Sequence, residues 1–215
     1  MKVALAALLI GSLAAGALRA QNVEFTAAEL EKPAYKLLME LHEFGRVNRM
    51  LNVPPYDGRL LATLVRMNHA KNVLEVGTSN GVSSIWMALA LKDGGLGRIT
   101  TLEIDPVKVK LAGENFAKAG VSDLILIVEG DALKTLPKLE GKYDFVFIDA
   151  AKEQYKSYLD AIWDRIPSGG VIVAHNAVAL ASSMKDYLDY VQNHPQLDTI
   201  ILRTGDDGVA LSYKR

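Results

Sequence analysis

Apolar positions along the chain follow two alternating rhythms. "KNVLEV", "RITTLEI", "LILIVE", "YDFVFID" and "GGVIVAH" are short apolar runs that read as strands. Between them the apolar spacing is helical, over 82–91, from Asp105-Pro106 to about residue 119, from Asp131 to about 139, over 152–165 and over 182–192. Asp105 is an N-cap acid and Pro106 takes the first helical position. Two further helices, near 26–43 and 56–67, precede the first strand. The chain closes on "TIILRTGDDGVALSYK", two runs joined by Gly205-Asp206-Asp207-Gly208, a hairpin signature. This order predicts an α/β fold. It is a Rossmann-like, doubly wound, mostly parallel seven-stranded sheet with helices on both faces and a C-terminal antiparallel hairpin. Ligands of such sheets bind beyond the carboxyl ends of the strands. The residues of interest are therefore Gly77 to Gly81, Glu103, Gly130-Asp131, Asp149 to Lys152 and His175-Asn176.

The amino terminus departs from this rhythm. "MKVALAALLIGSLAAGALRAQN" has one lysine, an apolar run over 3–18 and then Arg19. Ala15 and Ala17 are spaced for cleavage, and a second cut can follow Ala20, which is the layout of an export signal. As a spanning helix the run is short against the ~20 residues a bilayer requires. The expectation is a signal or anchor over 1–20 and one domain over 21–215, exported or periplasmic, in contact with a membrane only if the segment is retained. The chain has 215 residues, half of them apolar, which suits one α/β domain with a sizeable core. There is no cysteine, so disulfides, thiolate metal sites and a lipid-modified cysteine are excluded. Twenty-four basic against 25 acidic residues leave no basic excess for nucleic acid.

"EVGTSNGVSS" combines two glycines, four hydroxyls and little bulk, directly after a strand. A dinucleotide fingerprint needs G-x-G-x-x-G. Here the spacing is Gly77-x-x-x-Gly81, with Ser79 where the second glycine would stand. A pyrophosphate is poorly served, and a ligand without phosphates fits better. Glu103, ending the second strand, is placed to accept both hydroxyls of a ribose. Asp131, after the third, is placed to face an adenine. Three such positions after three successive strands point to a nucleoside ligand. Taken singly, each is an ordinary turn or strand end.

Together, "MLNVPPYDGRLLATLVRM", "NVLEVGTSNGVSS", "TLEID", "EGDALKTLP", "YDFVFIDAAKEQY", "GGVIVAHNAV" and "GDDGVAL" resemble the class I S-adenosylmethionine-dependent methyltransferases. The chain is similar to the cation-dependent O-methyltransferases of catechol and caffeoyl-CoA. The resemblance implies that Asn52 and Val53 cover the methionine end of the cofactor. It implies that Glu75, Gly77, Thr78, Gly81 and Ser83 form the loop beneath its carboxylate and amine. Glu103 becomes the ribose acid, and Asp131 and Ala132 the adenine contacts. Asp149 becomes a metal ligand lying against the sulfonium, Lys152 the general base, and Asn176 a second metal ligand. The implied partners are S-adenosylmethionine, a divalent metal ion, a small phenolic acceptor and a second copy of the chain.

Chemistry supports these roles. Methyl transfer to a hydroxyl is an in-line displacement that needs aligned atoms and an anionic oxygen. A divalent ion held by oxygen ligands can bind both oxygens of an ortho-diphenol and lower the pKa of one. A nearby lysine can take the proton. Two departures from the family pattern stand out. His175 replaces the usual aspartate before Asn176, which softens the metal site from Mg²⁺ toward Mn²⁺, Zn²⁺, Fe²⁺ or Co²⁺, or leaves the site without a metal and His175 as base. Ala150-Ala151 leaves the substrate wall open. The export signal also conflicts with the cytoplasmic supply of S-adenosylmethionine, so a cytoplasmic location is the alternative. A nicotinamide-dependent oxidoreductase and a non-catalytic nucleoside-binding relative are the competing readings.

Overall fold

The structure, a computed structural model, describes residues 26–95 and 97–215. The expected export signal lies outside the described residues. Among those residues, no helix is long and apolar enough to cross a membrane.

Helices α1 (Ala27–Leu30), α2 (Pro33–Asn48) and α3 (Pro55–Met67) come first. The sequence pattern predicted one helix over 26–43. Pro33 divides it, because the residue before a proline is pushed out of helical geometry, and Lys32 is extended at φ −85°, ψ 131°. There follow β1 (Asn72–Val76), α4 (Val82–Gly94), β2 (Arg98–Glu103), α5 (Pro106–Ala119), β3 (Ile125–Glu129), α6 (Ala132–Thr135), β4 (Phe145–Ile148), α7 (Tyr155–Ile162), β5 (Val171–His175), α8 (Lys185–Asn193), β6 (Leu197–Leu202) and β7 (Val209–Lys214). Asp105 caps α5 as expected, its carboxylate accepting from the Val107 N–H at 2.8 Å. The helix predicted over 152–165 has a 3₁₀ turn at each end, Lys152–Gln154 and Trp163–Arg165.

The seven strands lie in the order β3-β2-β1-β4-β5-β7-β6. β1 to β5 are parallel, and β7 is antiparallel to both β5 and β6. The central strands are mostly apolar because both faces are covered, with Glu75 of β1 a buried exception. On one face Leu38, Leu61, Val65, Ile85, Trp86 and Phe116 pack from α2 to α5. On the other, Leu136, Tyr155, Leu159, Met184, Tyr187 and Val191 pack from the segments after β3, β4 and β5. α4 is apolar on nearly every side and is correspondingly buried on nearly every side. Strand order reverses between β1 and β4. The chain leaves these two strands toward opposite faces, which opens a crevice at their carboxyl ends.

Candidate functional site

A cleft of about 840 Å³ occupies that crevice. Its wall includes Asn52, Gly77, Ser79, Glu103, Lys108, Asp131, Ala132, Asp149, Lys152, His175, Asn176 and Asp207. Residues expected after every parallel strand thus converge on one space.

The floor is the loop between β1 and α4. Gly77 has φ +102°, and a Cβ there would lie 2.2 Å from the Asp149 carbonyl oxygen. Only glycine lets the loop cross the end of β4 so closely. Ser79 adopts a left-handed conformation at φ 51°, which turns its N–H onto Glu103 Oε2 at 2.8 Å. The other Glu103 oxygen accepts from the Ile104 and Asp105 N–H groups, both at 3.0 Å. The ribose-binding candidate is therefore fixed by three backbone donors and needs no side-chain support.

Glu75, Thr78, Gly81 and Ser83 were expected beneath the cofactor, and they do not reach the cleft surface. Glu75 is fully buried behind the loop. It accepts from Ser83 Oγ at 2.5 Å, from Thr101 Oγ1 at 2.6 Å and from Ser84 Oγ. Burial pushes its carboxyl up to about 7, against the pull of these three hydroxyls. Thr78 Oγ1 joins Thr101 Oγ1 at 2.6 Å. Gly81 begins α4 at φ +89°, with Phe116 where a side chain would go. These residues set the shape of the loop from behind. Val53 likewise packs into the core, whereas Asn52 does line the cleft and donates to the Leu41 carbonyl at 3.1 Å. Asp131 caps α6 through the Leu133 N–H at 3.0 Å, which leaves its second oxygen 3.7 Å from Lys134 Nζ.

The far wall carries the charged groups. Asp149, at the end of β4, accepts from Lys152 Nζ at 2.7 Å. Lys152 Nζ also donates to the Tyr155 hydroxyl at 2.6 Å, so the lysine is held at two points. Burial alone would raise the Asp149 carboxyl, but His175 and Lys152 outweigh it and hold the group below its ordinary value. His175, at the end of β5, stands between two carboxylates. Nε2 is 2.9 Å from Asp57 Oδ2, and Nδ1 is 3.4 Å from Asp149 Oδ2. Burial works against a charged imidazole here, yet Asp149 and Asp57 push it up to about 9. Their carboxylates make this a place for positive charge, either a proton or a metal ion. Asn176 is left-handed at φ 62°, a conformation asparagine tolerates, and donates to Asp207 Oδ1 at 2.8 Å.

These donors fit a divalent ion. The 3.4 Å between Nδ1 and Oδ2 is long for a good N–H···O bond. It matches two neighbouring ligands that each stand ~2.0–2.2 Å from one ion. With the Asn176 amide nitrogen engaged by Asp207, its carbonyl oxygen is the atom left to ligate. The expected set of Asp149, His175 and Asn176 is thus brought together at one wall of the cleft.

Asp57, Asp207 and Tyr155 were missed from sequence. Asp57 and Asp207 both lie inside motifs that carried the resemblance, "MLNVPPYDGRLL" and "GDDGVAL". The signal was present, but the sequence separation of 118 between Asp57 and His175 hid the contact.

The O-methyltransferase family model matches residues 26–200. A catechol O-methyltransferase of Mycobacterium tuberculosis is 36% identical over 179 residues, which cover 76% of this chain and 80% of that protein. Among solved structures, an O-methyltransferase from Bacillus cereus in complex with S-adenosylhomocysteine shares 25% identity at a TM-score of 0.74, covering 84% of this chain and 91% of that one. TomG from Streptomyces achromogenes, an O-methyltransferase of tomaymycin synthesis in complex with S-adenosylmethionine, shares 28% at 0.73, covering 83% and 89%. The nicotinamide alternative falls with these matches: the chain belongs to the family of S-adenosylmethionine-dependent O-methyltransferases that includes the catechol and caffeoyl-CoA enzymes.

Proposed function

We propose that this enzyme methylates a hydroxyl of a small catechol-like phenol, assisted by a divalent metal ion. The observation that carries this reading is the grouping of Asp149, Lys152, His175 and Asn176 on one wall of a cleft whose floor is the Gly77 loop and Glu103. Glu103, with both oxygens oriented by backbone N–H groups, accepts the ribose hydroxyls. Asp131 and Ala132 border the adenine. Gly77 lets the cofactor lie close to the backbone above β1, and Asn52 closes over its methionine end. S-adenosylmethionine supplies an electrophilic methyl group on a sulfonium sulfur. Asp149, His175 and Asn176 are the residues that would hold a divalent ion, which would supply Lewis-acid activation of a phenolic hydroxyl.

The remaining work falls to the chain. Lys152 Nζ, anchored between Asp149 and Tyr155, stands at the cleft wall, where as the free amine it would receive the acceptor proton. The small side chains of Ala150 and Ala151 leave room for a planar ring beside it. The floor and wall together fix the acceptor oxygen relative to the methyl carbon, the alignment that an in-line displacement demands.

The same contacts favour one other reading, in which a protonated His175 bridges Asp57 and Asp149 and takes the place of the ion. Formation of S-adenosylhomocysteine from S-adenosylmethionine, measured over a panel of catechols and monophenols with and without EDTA, tests both. Turnover of vicinal diphenols that EDTA abolishes supports the metal-assisted reading. Undiminished turnover in EDTA supports the bridging histidine.

A further inference from the structure

His175 has two nitrogens and two carboxylate neighbours, and the two contacts differ. The 2.9 Å contact from Nε2 to Asp57 is a hydrogen bond, while the 3.4 Å contact from Nδ1 to Asp149 is not a good one. A neutral imidazole has one N–H and one lone pair. An Nδ1 that ligates an ion offers it the lone pair, so the single N–H of the ring then lies on Nε2, at hydrogen-bond distance from Asp57. We infer that Asp57 is a positioning residue of the metal site. It fixes the tautomer and ring orientation of His175 so that Nδ1 is presented to a divalent transition-metal ion. This rests on the metal-assisted reading above.

Three observations support it. First, Asp57 is a built feature rather than a surface acid. It is 1% exposed and His175 is 3% exposed, on elements 118 residues apart in sequence. A buried carboxylate is costly unless it is partnered by a charge or a strong donor. Second, the backbone makes room for it. Asp57 lies in the first turn of α3, and the next residue, Gly58, packs so tightly on α4 that a Cβ would sit 2.2 Å from Trp86 Nε1. That close approach seats the helix start, and so Asp57, against the end of β5. Third, the local charges call for a cation. Asp57 and Asp207 each bring a carboxylate oxygen within 4.8 Å of an imidazole nitrogen, and Asp149 Oδ2 lies 3.4 Å from Nδ1. Asp57 Oδ1 is buried with no hydrogen-bond partner. A histidine ligand whose far nitrogen donates to a carboxylate is a better base toward the metal, and a nitrogen donor favours Co²⁺, Mn²⁺ or Zn²⁺ over Mg²⁺.

Co²⁺ is the probe, because its visible absorption reports the ligands directly. Its affinity is measured by calorimetry on the metal-stripped full chain, alongside S-adenosylhomocysteine affinity. Asp57→Ala should weaken Co²⁺ binding ~10–100-fold and change the visible spectrum, with S-adenosylhomocysteine affinity kept. Asp57→Asn retains an acceptor and should lose less. In a His175→Asp background there is no imidazole to orient, so Asp57→Ala should no longer weaken Co²⁺ binding. Wild-type Co²⁺ affinity and spectrum in Asp57→Ala would overturn the inference while leaving the metal-assisted reading in place. Parallel loss of Co²⁺ and S-adenosylhomocysteine affinity in both backgrounds would also overturn it, as the mark of a general structural role. A wild-type chain that takes up no Co²⁺ overturns the inference and the metal-assisted reading together.

Discussion

The two halves of the cleft are built on different principles. On the side of β1, β2 and β3, each polar group is fixed by its own neighbourhood. Ser79, Ile104 and Asp105 hold Glu103 through backbone N–H groups, and Leu133 does the same for Asp131. On the side of β4, β5 and β7, side chains hold one another: Asp57 to His175, His175 to Asp149, Asn176 to Asp207. The first half is a seat shaped by backbone hydrogen bonds. The second is a cluster of mutually dependent charges, where one substitution changes the balance for all. The difference bears on where chemistry can diverge within a family: one half of the cleft is held by backbone donors that most substitutions keep, while the other rests on side chains that a substitution changes.

Substitutions can break or sharpen this contrast. The largest effect should come from Lys152→Met. Loss of a positioned proton acceptor is worth ~10²–10⁴ in kcat. S-adenosylhomocysteine affinity should stay near the wild-type value if the halves are independent. Steady-state kinetics with calorimetry decides, and a large loss of cofactor affinity would show that the halves are coupled.

The next effect concerns stability and pH. The Glu75 carboxyl is raised from its ordinary 4.5 to about 7, chiefly by burial. The folded state therefore binds this proton more tightly than the unfolded state. Stability should fall as pH rises from about 4.5 through about 7, and then level off, by up to about 3 kcal/mol at 1.36 kcal/mol per pH unit. Glu75→Gln carries no such titration and lets the hydroxyls of Ser83, Ser84 and Thr101 turn to suit the amide. Urea unfolding across this range should lose the Glu75 slope in the variant. An identical slope in both proteins would remove Glu75 as its source.

A smaller effect is expected at the seat itself. Glu103→Ala should weaken S-adenosylhomocysteine binding by ~1.5–3 kcal/mol, the worth of a hydrogen bond to a charged group. It should leave the metal preference unchanged. Unaltered affinity in calorimetry would take Glu103 out of the cofactor site. The smallest is Asp105→Ala, which should cost ~1 kcal/mol of unfolding free energy through the lost cap of α5, with no change in either half of the site.

The contrast also explains what could be read from the sequence. The strands, the capped helix at Asp105-Pro106 and the closing hairpin declare themselves through local period and turn chemistry. So does the seat, since Gly77, Glu103 and Asp131 each stand at or just beyond the carboxyl end of a strand. Glu75 and Ser83 stand at the two ends of the glycine loop, but the sequence does not show that they pair with each other, or that Thr101 from β2 joins them. Asp57 is a second such case. It sits in a quoted motif, yet its partner is set by the tight packing of Gly58 on Trp86 and by the position of β5 in the sheet. No local pattern encodes either fact. His175 was noticed because it broke the family pattern, and its surroundings needed the fold.

The central claim is that the acceptor half is a metal site whose character is set by His175. Its most direct test is methyl transfer to a catechol by wild-type and His175→Asp enzymes, stripped with EDTA and resupplied separately with Mg²⁺ or Co²⁺. The account predicts no turnover in EDTA for either protein. It predicts wild-type recovery that is greater with Co²⁺, and a shift toward Mg²⁺ when the oxygen ligand is restored. Full wild-type activity in EDTA, with turnover lost on His175→Asp whatever ion is added, would contradict it.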